Sequence, residues 1–126
     1  MLDVEKKTCK FLVVEDEPMI SILLDEYISE MGHVLAWRAD SVEGALREID
    51  ANRDIDGAIL DMNIKGESGA PVAKALMGRG IPFCFMTGYG PSATSAYPRV
   101  PVISKPFDMI AVERVIGELM SGAEGV

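Results

Sequence analysis

A chain of 126 residues with 20 acidic and 12 basic side chains carries a formal charge of −8 and has the length of one domain. Its hydrophobic share of 48% and charged share of 25% belong to a globular protein with a core, which excludes disorder, a collagen-like repeat and a disulfide-stapled miniprotein. The negative balance, with no run of Lys or Arg, argues against nucleic acid or an anionic membrane as partner.

The two cysteines are Cys9 and Cys84. Cys84 lies in the apolar run Ile81 to Met86 and reads as a small buried hydrophobe, so a reducing compartment is expected. The charged N-terminus is unlike a signal peptide, and no stretch has the roughly 18 apolar residues of a membrane span. The expected location is the cytoplasm.

Short β-branched runs alternate with segments of helical periodicity, the pattern of βα units on a parallel sheet. Phe11 to Val14 predicts the first strand; Ile20, Leu23, Leu24, Tyr27, Ile28 and Met31 then form one helix face, stopped by Gly32. His33 to Trp37 predicts the second strand, and Ser41 caps a helix with Val42, Ala45, Leu46 and Ile49 on one face. Ala58 to Leu60 is the third strand and Lys65 to Gly69 a loop. Pro71 opens a helix carrying Val72, Ala75 and Leu76, which Gly78 and Gly80 end. Ile81 to Met86 is the fourth strand and Val100 to Ile103 the fifth. Asp108 caps a last helix through Val112, Val115, Ile116 and Leu119, and Gly122 begins the tail. The crossover between the fourth and fifth strands, Thr87 to Pro101, is rich in Gly and Pro, so its helix is expected to be short or disordered. Aromatic residues such as Tyr27 and Trp37, and the methionines, are expected to pack the core. His33 is expected to be solvated.

In an open parallel sheet the ligand crevice lies beyond the carboxyl ends of the strands, where strand order reverses. Glu15, Asp16 and Glu17 follow the first strand, Asp61 and Asn63 the third, Thr87 the fourth and Lys105 the fifth. Converging carboxylates repel one another unless a cation or a proton relieves them. Mg²⁺ accepts one or two carboxylates, waters and a phosphate oxygen, so Glu15, Asp16 and Asp61 suit that ion.

The string Phe11-Leu12-Val13-Val14-Glu15-Asp16-Glu17-Pro18, followed by Ile59-Leu60-Asp61-Met62-Asn63, Met86-Thr87-Gly88 and Ser104-Lys105-Pro106-Phe107, resembles the receiver domain of two-component response regulators. The resemblance covers nearly the whole chain, as one receiver domain over 1–126 with a core of about 9–121. It implies an α/β, flavodoxin-like, doubly wound five-stranded parallel sheet of order 2-1-3-4-5. Asp61 then matches the phosphoacceptor that attacks the phosphohistidine of a sensor histidine kinase. Glu15 and Asp16 match the metal-binding pair, and Asn63 the position whose main-chain carbonyl completes the Mg²⁺ shell. Thr87 and Lys105 match the hydroxyl and the cation that meet phosphoryl oxygens. Glu17 is expected to be a bystander. Gly88 leaves room for the phosphoryl group, and the Lys105–Pro106 bond is expected to be cis, as is usual at that family position.

Two departures stand out. Val102 occupies the place where most receivers carry a Tyr or Phe that reports phosphorylation, a role that passes to Tyr89, to Tyr97 or to no residue. The stretch Pro82 to Gly90 resembles the alphaproteobacterial "FAT GUY" subgroup, with Met86 in place of its alanine and Gly90 in place of its tyrosine. That subgroup is similar in pairing with kinases of the HWE and related classes. An aspartate-nucleophile phosphatase would want a second Asp at the place of Asn63, and a nucleotide-binding enzyme a glycine-rich turn at the place of Glu15-Asp16-Glu17-Pro18. The expectation is a regulator and no enzyme beyond its own phosphorylation and dephosphorylation. Its output is another protein, reached by contact or by passing the phosphate on in a phosphorelay. A phosphorylation-independent interaction module of the same fold is the alternative.

Overall fold

The computed structural model describes residues 7–88 and 96–125, the last four through their backbone alone. Five strands, β1 (Lys10–Val14), β2 (Val34–Ala39), β3 (Gly57–Asp61), β6 (Phe83–Thr87) and β7 (Val102–Ser104), form one parallel sheet in the order β2-β1-β3-β6-β7. Counting only these five, the order is the expected 2-1-3-4-5. The two labels skipped belong to a short antiparallel hairpin, β4 (Asn63–Ile64) with β5 (Glu67–Ser68), inserted directly after β3.

Four helices among the described residues cover the sheet: α1 (Pro18–Glu30), α2 (Val42–Ala51), α3 (Ala70–Gly78) and α4 (Met109–Gly125). Burial on both faces follows from strand sequence, because successive side chains point to opposite sides. Leu12, Val14, Ala58, Leu60, Phe83 and Phe85 join Ala45 and Ile49 of α2 and Val72 and Leu76 of α3 in one core. Phe11, Val13, Ile59, Cys84 and Met86 meet Leu24 and Ile28 of α1 and Val112, Val115, Ile116 and Leu119 of α4 in the other. Both cysteines are free and buried, and burial pushes the Cys84 thiol up to about 12, which leaves it an inert core group.

Local signals account for the helix ends. Ser41 Oγ accepts the Gly44 N–H at 2.9 Å, and Asp108 Oδ1 accepts the Ala111 N–H at 2.9 Å. α3 is tied to α2 by Arg79, whose guanidinium donates to the main-chain carbonyls of Ile49 and Asn52.

Several expectations need correction. The segment Lys65 to Gly69 is not plain loop, since Glu67–Ser68 pairs with Asn63–Ile64. β7 starts at Val102 because Val100 N–H closes a turn onto the Tyr97 carbonyl, while the Pro101 carbonyl accepts from Phe85. α4 runs through Gly122 to Gly125; one glycine costs a helix only about 1 kcal/mol, too little to stop one docked through Val115, Ile116 and Leu119. His33 is half-buried: its Nδ1 accepts the Cys9 N–H at 3.0 Å and its ring lies 5.8 Å from Phe11. Met19 and Met77 are exposed and pack no core. Of the crossover between β6 and β7, residues 89–95, with Tyr89, lie outside the described residues. No helix among the described residues is long and apolar enough to cross a membrane.

Candidate functional site

The chain runs from β1 outward to β2 and then returns past β1 to β3, so strand order reverses between β1 and β3. Main-chain bonds extend the sheet by one residue at the carboxyl ends. Glu15 N–H donates to the Ala39 carbonyl at 3.0 Å, Met62 N–H to Met86 at 3.1 Å, and Lys105 N–H to Thr87 at 2.9 Å. The polar residues therefore leave the sheet from fixed backbone positions, beside a crevice of about 440 Å³ lined by Asp16, Glu17, Asp61, Asn63, Gly66, Gly88 and Lys105.

Glu15, Asp16 and Asp61 each bring one carboxylate oxygen to within 4.8 Å of the others. Glu15 and Asp61 are buried and Asp16 is half-buried. Lys105 Nζ donates to Asp61 Oδ2 at 2.8 Å and lies 3.5 Å from Glu15 Oε1. Glu15 Oε1 is buried and has no hydrogen-bond partner. Burial first, then the Asp61 carboxylate beside it, raises the Glu15 pKa from 4.5 to about 8, against the opposing pull of the Glu17 N–H and Lys105. Burial works against the charge of Lys105, but its bond to Asp61 and the charges of Asp61, Glu15 and Glu17 hold its pKa above the ordinary value.

A set of hard oxygen donors with one buried oxygen lacking a partner fits a small divalent cation such as Mg²⁺. Asn63 heads the hairpin; its N–H donates to Asp61 Oδ1 at 2.9 Å, while its own Oδ1 accepts from Gly66 N–H at 3.0 Å. Thr87 ends β6 and is buried. A Cβ on Gly88 would come no nearer than 3.9 Å to Lys105 Cβ, so the space at Gly88 is open to the crevice. The Lys105–Pro106 bond is cis.

All six residues expected at the site, Glu15, Asp16, Asp61, Asn63, Thr87 and Lys105, stand at this one end of the sheet. Glu17 does more than the expected bystander. It is the N-cap residue of α1 but makes no side-chain cap, and its Oε1 lies 3.6 Å from Lys105 Nζ. Lys65 went unnoticed in the sequence, yet its N–H donates to Asp16 Oδ2 at 2.8 Å. The signal available for it was the Lys65-Gly66 pair between Ile64 and Glu67, a two-residue hairpin turn. Val102 and Tyr97 are both half-buried against the core that holds Phe85, and the Tyr97 ring lies 5.4 Å from that of Phe85.

Comparison with known proteins agrees with this geometry. The response regulator receiver domain profile matches residues 11–116. A curated relative, the TorCAD operon transcriptional regulatory protein TorR of Escherichia coli strain K12, is 34% identical over 68 residues, 54% of this chain and 29% of TorR. The match thus spans less than a third of that relative's length. Among solved structures, SdrG from Sphingomonas melonis Fr1 is 38% identical with a TM-score of 0.79, covering 90% of this chain and 97% of that one. Its BeF3-activated conformation aligns at 37% identity and a TM-score of 0.76, over 88% and 95% of the two chains. PhyR from Brucella abortus, at 21% identity and a TM-score of 0.83 over 94% of this chain and 50% of that one, shares the fold. With a profile match over most of its length and the acidic crevice at the strand ends, the chain belongs to the response regulator receiver domain family.

Proposed function

We propose that this domain takes a phosphoryl group onto Asp61 from the phosphohistidine of a sensor kinase, with Mg²⁺ held by Glu15, Asp16, Asp61 and the main-chain carbonyl of Asn63. The observation that carries the reading is the placement of Asp61 at the end of the central strand, against Lys105 and beside Glu15 and Asp16. A carboxylate oxygen of Asp61 attacks phosphorus while the N–P bond of the donor imidazole breaks and its electron pair stays on the histidine nitrogen. Mg²⁺, when bound, neutralises charge on the carboxylates and on the transferring phosphoryl oxygens. Lys105 releases its bond to Asp61 and meets one phosphoryl oxygen; the Thr87 hydroxyl donates to another.

In this reading the domain promotes only its own phosphorylation and dephosphorylation, and acts on other proteins by contact or by passing the phosphate to a downstream histidine. The resemblance of Pro82 to Gly90 to the FAT GUY subgroup favours a kinase of the HWE or a related class as donor. The test is to incubate the protein with acetyl phosphate and Mg²⁺ and weigh it intact. One phosphoryl group is expected on the wild type and none on Asp61→Asn or in excess chelator. An equal gain in Asp61→Asn overturns the assignment.

A further inference from the structure

Each carboxylate of the acidic cluster has one oxygen already taken by a main-chain N–H. Glu17 N–H donates to Glu15 Oε2 at 3.1 Å, Asn63 N–H to Asp61 Oδ1 at 2.9 Å, and Lys65 N–H to Asp16 Oδ2 at 2.8 Å. On Glu15 the other oxygen, Oε1, belongs to a side chain only 1% exposed and has no hydrogen-bond partner. Three separate backbone donors thus engage one oxygen of each of the three carboxylates, while the other oxygen of Asp61 is held by Lys105.

Two of the three donors come from the hairpin. Its turn residues, Lys65 at φ 54° and Gly66 at φ 82°, are both left-handed, as a two-residue turn matched to the twist of the flanking strands requires. Lys65 is the non-glycine residue that accepts this conformation among the described residues. Ile64, fully buried, anchors the hairpin in the core beneath. Lys65 Nζ lies 3.6 Å from Asp40 Oδ2 beyond the end of β2. The hairpin is fastened at both ends, and its N–H groups point at Asp61 and Asp16.

Ion chemistry gives this arrangement a consequence. Ca²⁺ takes six to eight oxygens and often grips a carboxylate through both of them, whereas Mg²⁺ demands six short, near-octahedral contacts and suits one oxygen per carboxylate. We infer that the Asn63–Ser68 hairpin is a positioning element which, with the Glu17 N–H, holds the acidic cluster to one oxygen per carboxylate and so makes the site discriminate Mg²⁺ from Ca²⁺. Lys65 acts through Asp16 and takes no part in the chemistry itself. The inference rests on the reading of the crevice as a Mg²⁺ site and goes beyond it in naming what sets the choice of ion.

The test is calorimetric titration of the chain with MgCl₂ and with CaCl₂, with folding followed by a ¹H–¹⁵N correlation spectrum. The wild type is expected to favour Mg²⁺. Gly66→Val, which puts a β-branched residue at φ 82°, opens the turn and is expected to lower the Mg²⁺ to Ca²⁺ affinity ratio about tenfold or more, mainly through weaker Mg²⁺ binding. Lys65→Asn, which tolerates the left-handed backbone and keeps the N–H, is expected to retain the wild-type ratio. Should Gly66→Val fail to fold, amide-to-ester replacement at Lys65 removes the single donor and leaves the side chains intact, with the same ratio as readout. An unchanged ratio when the Lys65 donor is displaced or removed overturns the inference while leaving the Mg²⁺ site standing. A wild type that binds neither ion overturns both.

Discussion

Lys105 Nζ is hydrogen-bonded to Asp61 Oδ2 at 2.8 Å, so the crevice cation already occupies the carboxylate proposed as the phosphoacceptor. Glu15 and Glu17 flank the same ammonium at 3.5 and 3.6 Å. This pairing relieves part of the repulsion among the carboxylates and must be exchanged when phosphate and metal arrive. It fixes what loss of the lysine does.

Lys105→Ala is expected to tighten Mg²⁺ binding, because a competing cation leaves the acidic cluster, and to slow phosphorylation by acetyl phosphate about 10²- to 10³-fold. The two effects have opposite signs, which separates a role toward the phosphoryl group from one toward the metal. Calorimetric Mg²⁺ titration and mass-resolved kinetics at saturating metal measure them. Weaker Mg²⁺ binding with normal phosphorylation contradicts the assigned role.

Glu15 gives the metal-free protein a pH dependence of stability. Its carboxyl binds a proton more tightly in the folded chain, at about 8, than at its ordinary value of 4.5. Its contribution to stability is therefore full below 4.5 and is lost as the pH rises through about 8. Urea melts in excess chelator are expected to shift to lower midpoint between pH 5 and 8, and saturating Mg²⁺, which takes the place of the proton, to flatten that slope. A midpoint that rises over this window without metal would falsify the claim.

Gly69 is a position where a single methyl group matters. A Cβ there would fall 2.8 Å from the Asp61 carbonyl oxygen, so Gly69→Ala must shift either its own loop or the backbone of Asp61, the proposed phosphoacceptor. We expect a loss of about 1 to 3 kcal/mol in stability together with slower phosphorylation. Denaturant melts and the acetyl phosphate assay test this side by side; wild-type values in both mean that the loop yields freely.

Ser41→Ala removes the acceptor of the Gly44 N–H and is expected to cost about 1 kcal/mol while leaving phosphorylation as in the wild type. Ser41 caps α2 outside the crevice. A change in phosphorylation rate would reveal a route from α2 to Asp61 that its contacts give no reason to expect.

The main sheet was readable in the sequence because its strands are apolar runs separated by amphipathic helices, and a parallel sheet buried on both faces demands such runs. The site residues were readable because they are distinctive side chains placed immediately after those runs. The hairpin was not. Asn63–Ile64 and Glu67–Ser68 are two residues each, too short for any periodicity to register. The link from Lys65 to Asp16 is carried by a main-chain N–H, which every residue but proline has, across 49 positions. The Glu17 to Lys105 pair was hidden for another reason: with Glu15 and Asp16 matched to the metal site, the third acidic residue reads as a bystander, and only the fold brings its side chain to the lysine. Residue type reveals a donor only when the donor is a side chain.

β3 lies between β1 and β6, and all five of its residues, ending in Asp61, are buried. Its amides are covered on both edges by neighbouring strands, so they exchange with solvent only when the whole sheet opens. The carboxylate at its end is therefore anchored to the part of the molecule with the longest residence in its folded form. Heat, denaturant or a protease that acts on a frayed segment reaches the helix termini and the hairpin turn first. The Asp61 carboxylate should therefore keep its place at the end of β3 until the last cooperative unit of the fold opens, after the hairpin turn beside it has already frayed.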